Sequence, residues 1–166
     1  MNYTDLVGGF VMGLAFASLV EYWMHRAMHH GWVGRYLKTW HINHHRTEAV
    51  DGWFWEFLTI LPITLLLGWL GFFWSWEAGI TFFFASIVWV AMYGYCHELA
   101  HEAPEYIFWM HPSVHTMHHR REGSRYNFGI CLNLWDHVFR TYKKIEGFEK
   151  QRRIFNLKRM LSIKWF

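Results

Sequence analysis

At 166 residues the chain has room for one domain and little for a second that would carry a reductase or cofactor of its own. Its composition is 53% hydrophobic and 21% aromatic, with only 17% charged residues and twelve Trp, which argues against an ordinary soluble domain and for a membrane protein. The net charge of +3 would suit a nucleic-acid partner only if it formed a stripe, and its placement along the chain excludes that reading.

Residues 6–24 form an apolar run long enough, at about 1.5 Å per residue, to cross a hydrocarbon core of about 30 Å. Ala15-Phe16-Ala17 resembles a signal-peptide cleavage site, but the run lacks a basic start and continues past it, so a first span is expected. Directly after it comes His25-Arg26-Ala27-Met28-His29-His30, which places His25 and His29 one helical turn apart with His30 beside them. Glu21, one turn earlier, is placed to accept an imidazole N–H and fix its tautomer. The next block, Trp40-His41-Ile42-Asn43-His44-His45-Arg46, sets three histidines at spacings three and four, from which His41, His44 and His45 are expected to aim at one point.

Two further apolar stretches, 53–74 and 78–96, are joined by so few residues that only a tight hairpin between spans fits. Pro62 should kink the first of them without ending it. Where the third span reaches the surface stands His97-Glu98-Leu99-Ala100-His101, again one turn apart, and His115-Thr116-Met117-His118-His119 repeats the three-histidine block downstream. The tail from 150 to 166 mixes Trp, Phe and Leu with Lys and Arg and reads as a basic amphipathic segment on the membrane surface. Cys96 and Cys131 have neither a C-x-x-C spacing nor the density of a secreted scaffold, so both are expected to be reduced and structural.

Three crossings put residues 25–52 and 97–166 on one side of the membrane. All 13 His and all 16 Lys and Arg fall there, while the other side holds only Asp5 and Glu77. The positive-inside rule makes the histidine-rich side cytoplasmic. The expected fold is therefore all-α: an integral, multi-pass membrane domain over 1–166, with about three transmembrane helices and a cytoplasmic helical cap.

Ten imidazoles recur at ligand spacing: His25, His29, His41, His44, His45, His97, His101, His115, His118 and His119, with His30 as an additional ligand. That is more than one ion can use, so a dimetal site is the economical reading. Imidazole suits Fe, Zn, Cu and Ni alike, so ligand type does not name the metal. His111 and His137 are expected to orient ligands or to be structural, and Glu98 either accepts from a ligand or faces solvent.

The order H-x-x-x-H, H-x-x-H-H, H-x-x-x-H, H-x-x-H-H resembles the fatty acid hydroxylase and sterol desaturase superfamily of membrane-bound di-iron oxygenases. Asn127-Phe128-Gly129 and Leu134-Trp135-Asp136, with Phe139 and Thr141, resemble that family's closing segment, where Arg140 stands in place of the usual Gly. The resemblance implies two iron ions, with zinc as an ion that isolation could leave there, dioxygen, and electrons from a separate redox partner protein. It further implies a membrane lipid substrate, fatty acyl or sterol-like, that is hydroxylated or desaturated, and it brings Asp136 into the set of residues expected beside the ligands.

Bacterial-type carotenoid hydroxylases share the style of the first block, Glu21-Tyr22-Trp23-Met24-His25-Arg26, but usually have one more residue between the histidines of the third. His97-Glu98-Leu99-Ala100-His101 is also, read literally, the H-E-x-x-H of a zinc metalloprotease, a reading that leaves three blocks unused. A metal transporter would place its ligands near the bilayer midplane, where this chain has none.

Overall fold

The computed structural model describes residues 2–110, 113–147 and 155–166, and among them there is no strand. Three helices are long and apolar enough to cross a membrane: α1 (Tyr3–His30), α3 (Trp53–Leu67), which continues as a 3-10 turn over Gly68–Phe73, and α4 (Trp76–Glu102). Helix α2 (Arg35–Thr47) links the first two, and the short helices α5 (Val114–His118), α6 (Leu134–Val138) and α7 (Leu157–Met160) follow the last.

The helices start and stop where side chains and glycine permit. The Asn2 side chain accepts from Thr4 N at 3.1 Å to open α1, and the Ser75 hydroxyl accepts from Ala78 N at 3.1 Å to open α4 after the hairpin. No breaker separates the first apolar run from its histidines, so α1 continues past the expected boundary at 24 to Gly31, whose φ of 80° suits a residue without a Cβ. Likewise α4 runs on past the apolar stretch that ends at 96, to Glu102. The first and third histidine blocks are therefore rigid extensions of membrane-length helices. Pro62 lies inside α3, which continues past it to Leu67.

Helices α1 and α4 meet along Gly9, Gly13 and Ala17, spaced by four, against Ala78, Phe82 and Ala85. A Cβ added at Gly13 would lie 2.5 Å from the Phe82 carbonyl oxygen, so the two backbones are in direct contact. In a bilayer, where apolar side chains gain nothing by leaving lipid, such close packing is what holds helices together. Trp89 Nε1 ties the pair by donating to Glu21 Oε2 at 2.7 Å, and Trp53 Nε1 ties α3 to α4 through the Ala91 carbonyl at 2.9 Å.

A second core lies on the histidine side, where Leu99, Ile107, Val114, Met117 and Ile163 pack together. The C-terminal residues fold back over it. Trp53 and Phe54, at the start of α3, donate their N–H groups to the carbonyls of Lys164 and Trp165, at 2.8 and 3.0 Å. Of the expected amphipathic tail, 150–154 lies outside the described residues, and the remainder carries a single helical turn with Phe155, Leu157, Leu161 and Phe166 exposed. Cys96 and Cys131 are buried and free.

Candidate metal centre

The ends of α1 and α4 point their histidines at α2 and α5, which lie across them, and eight imidazoles converge in two quartets. His25, His41, His45 and His118 form the first; His44, His101, His115 and His119 form the second. Within each quartet one nitrogen per ring lies within 4.8 Å of every other. The expectation that His41, His44 and His45 share one point is corrected. Neighbouring residues on a helix differ by about 100°, so His44 and His45 diverge.

Each H-x-x-H-H block thus serves both quartets, and the two blocks do so in opposite sense. From α2 the i and i+4 rings, His41 and His45, enter the first quartet and the i+3 ring, His44, enters the second. From α5 and its end His115 and His119 enter the second and His118 the first. The rings of His45 and His119 stack at 4.2 Å with 2° between planes and form the wall between the quartets.

The nitrogens are spaced for a shared ion. Nε2 of His41 and His45 are 3.1 Å apart, of His101 and His115 3.0 Å, and of His115 and His119 3.1 Å. Two ligands each about 2.1 Å from one ion stand about 3.0–3.4 Å apart at octahedral or tetrahedral angles. Nε2 of His25 and of His118 are buried without a hydrogen-bond partner, as atoms awaiting a ligand bond are. The donor set therefore fits two ions of the imidazole-preferring kind.

Backbone carbonyls fix the tautomers. A carbonyl oxygen only accepts, so His25 Nδ1, 2.6 Å from Phe128 O, carries its proton and leaves Nε2 with a lone pair facing inward. His118 Nδ1 does the same to Tyr126 O at 2.6 Å, and His44 Nδ1 to Ala49 O at 2.9 Å. The bracket carrying Tyr126 and Phe128 is built by the N-F-G and L-W-D residues. Asp136 accepts from Phe128 N, Gly129 N and the Thr141 hydroxyl, each at 2.8 Å, while Asn127 exchanges two hydrogen bonds with the Lys143 backbone. Asn127 and Arg140 have φ of 59° and 56°, so Arg140 occupies the conformation that explains a glycine in the family pattern.

Burial, and after it the neighbouring imidazoles, hold these rings neutral, the form that binds metal. His41, His115, His118 and His119 are lowered, His44 to about 4 and His45 to about 3, in each case first by desolvation.

The other expected residues lie elsewhere. His97 flanks the second quartet, its Nε2 3.2 Å from His44 Nε2, and its Nδ1 is 3.1 Å from Glu56 Oε1. Glu56 is a buried carboxylate that the sequence reading passed over, although an acid inside Trp53-Phe54-Trp55-Glu56-Phe57 is costly enough in a membrane to mark a function. His29 flanks the first quartet with its ring 5.3 Å from that of His118, and His30 turns away to stack on Trp32. The carboxylate of Glu21 takes Trp89 Nε1, Ile130 N and Cys131 N, so the expected imidazole partner is replaced by the Phe128 carbonyl. Glu98 accepts from Gly52 N at 2.8 Å, and His137 is exposed and stacks on Tyr142. His111 lies outside the described residues. The orienting carbonyls of Ala49, Tyr126 and Phe128 have no side-chain signal by which sequence reasoning could have found them.

A family model described as fatty acid hydroxylase matches residues 10–141. The chain is 26% identical over 144 residues to a Delta(7)-sterol 5(6)-desaturase of Leptosphaeria maculans, an alignment covering 79% of this chain and 36% of that protein, so the chain spans little more than a third of its relative's length. No solved structure matches it.

Proposed function

The chain belongs to the fatty acid hydroxylase family, and from that premise we propose that it is a membrane-bound lipid oxygenase whose two histidine quartets each hold an iron ion. The observation that carries the reading is the pair of four-imidazole clusters at one end of three membrane-length helices. Two irons there would supply the reductive activation of dioxygen that an unactivated C–H bond requires, with electrons from a separate donor protein.

The protein's own residues hold, orient and shield. His25, His41, His45 and His118 bind one ion; His44, His101, His115 and His119 bind the other, with His97 as a further nitrogen that Glu56 orients. His29 sits at the edge of the first position. Residues 1–166 act as one domain, with the histidine side cytoplasmic, as the distribution of Lys and Arg supports. A seam between α1, α3 and α4, lined by Ala17, Val20, Ile60, Trp89 and Tyr93, leads up to His97, on whose ring Tyr93 stacks at 5.9 Å. The hydroxyls of Thr64 and Ser86 in this seam are spent on carbonyls of their own helices, so it offers an apolar wall suited to a hydrocarbon chain. It is narrow, and a lipid chain entering from the bilayer has to part α1 from α3.

The metalloprotease reading loses its base. Glu98 is wholly buried and turned to the Gly52 amide, whereas H-E-x-x-H hydrolysis needs that carboxylate on the metal-bound water. Expression in cells, with analysis of bound metal and of lipids and carotenoids for an added oxygen or double bond, tests the proposal. Two ions per chain and an oxidised lipid that disappears in His44→Ala are expected. Fewer than two ions, or oxidation that survives His44→Ala, would overturn it, and oxidation confined to carotenoids would move the substrate to that class.

A further inference from the structure

The two quartets differ in their access to water and in how firmly their rings are held. In the first, His25, His41 and His118 are buried and only His45 is partly exposed, and the buried Phe128 ring lies 5.2 Å from His118 and 6.0 Å from His25. Two of its four rings, His25 and His118, are pinned by carbonyls at 2.6 Å. In the second quartet only His44 has such a bond, at 2.9 Å, while Nδ1 of His115 and of His119 are buried without a partner. His101 and His119 are partly exposed, and they border a cavity of about 310 Å³ that Glu48, His115, Thr116 and Arg120 also line.

We propose that this cavity is the metal port of the second quartet, so that the two ions exchange in a fixed order: the second leaves and enters freely, and the first is retained. The inference rests on the dimetal reading above. An ion leaves when water replaces its ligands and the rings swing away, and both steps are open at the second position. At the first, three of the four rings are buried, and two ligands cannot rotate without leaving a peptide carbonyl unpaired. Loss of such an orienting bond typically changes metal affinity by about 10–100-fold.

The test uses the full chain in detergent, loaded with zinc, desalted, challenged with a chelator in excess, and assayed for retained metal over time. Half of the metal should leave in a fast phase and half at least about tenfold more slowly. His101→Ala should hold one ion that leaves slowly, and His25→Ala one that leaves fast. Thr116→Trp, which narrows the port and removes no ligand, should slow the fast phase and leave the slow one unchanged. Glu48→Lys should slow reloading of the fast half, because it reverses the charge at the mouth. Release of both ions in one phase, or a fast phase indifferent to Thr116→Trp, would overturn the order of exchange while leaving the dimetal reading intact. Loading with fewer than two ions per chain would instead sink the dimetal reading, and the order with it.

Discussion

At the scale of single residues the centre depends on groups that never face an ion. The Phe128 and Tyr126 carbonyls decide which nitrogen of His25 and His118 is free, and Asp136 and Asn127 hold those carbonyls in place. Glu56 is the side-chain counterpart, 3.1 Å from His97. Glu56→Gln is expected to weaken binding of the ion at the second quartet by about 10–100-fold and to spare the first, with Glu56→Asp intermediate. Metal titration of the purified variants reads this directly, and equal affinity in Glu56→Gln would remove Glu56 from the centre. The histidines themselves were legible in the sequence because ligand spacing is local. Their partners were not, since a backbone carbonyl has no residue type and Glu56 is 41 positions away from His97 along the chain.

At the scale of elements, the α1–α4 contact sets the span between His25 at one helix end and His101 at the other. Its basis is the approach of two backbones at Gly9 and Gly13. Gly13→Leu would drive a Cβ to within 2.5 Å of the Phe82 carbonyl oxygen, and a backbone atom cannot step aside as a side-chain tip can. The helices must part, at a cost of about 1–3 kcal/mol or more. A fall in melting temperature in detergent, with a parallel loss of bound metal, is the expected result. An unchanged melting curve would mean that α1 and α4 are positioned by the cap and not by each other. Hydropathy located these spans well. The helices run on beyond the apolar runs that end at 24 and 96, to His30 and Glu102, because an apolar run stops at its first histidine while a helix stops only at a breaker.

At the scale of the whole molecule the imidazoles of His41, His44, His45, His115, His118 and His119 act together on stability. Their folded values lie below the ordinary histidine value of 6.5, with His44 at about 4 and His45 at about 3. Below pH 6.5 the unfolded chain therefore takes up protons that the folded one refuses. The stability is present above that pH and is lost as pH falls through about 4 to 3. His44 alone corresponds to a loss on the order of 3 kcal/mol at pH 4. Asp136, raised by burial, acts in the opposite sense. Metal-free protein should show a melting temperature that drops steadily from pH 7 to pH 4, and a flat profile would mean that the rings are solvated. The sequence by itself determined the all-helical fold, the three apolar segments and the recurrence of histidines at ligand spacing, because hydropathy and helix period are properties of neighbouring residues. Only the tertiary structure decided that His41 and His45 part company with His44, that His118 crosses over to the first quartet, and that the rings of the first quartet are the more deeply buried. Those outcomes depend on how four helix ends are rotated and tilted against one another, which is fixed by backbone contacts and carbonyl brackets between residues about a hundred positions apart.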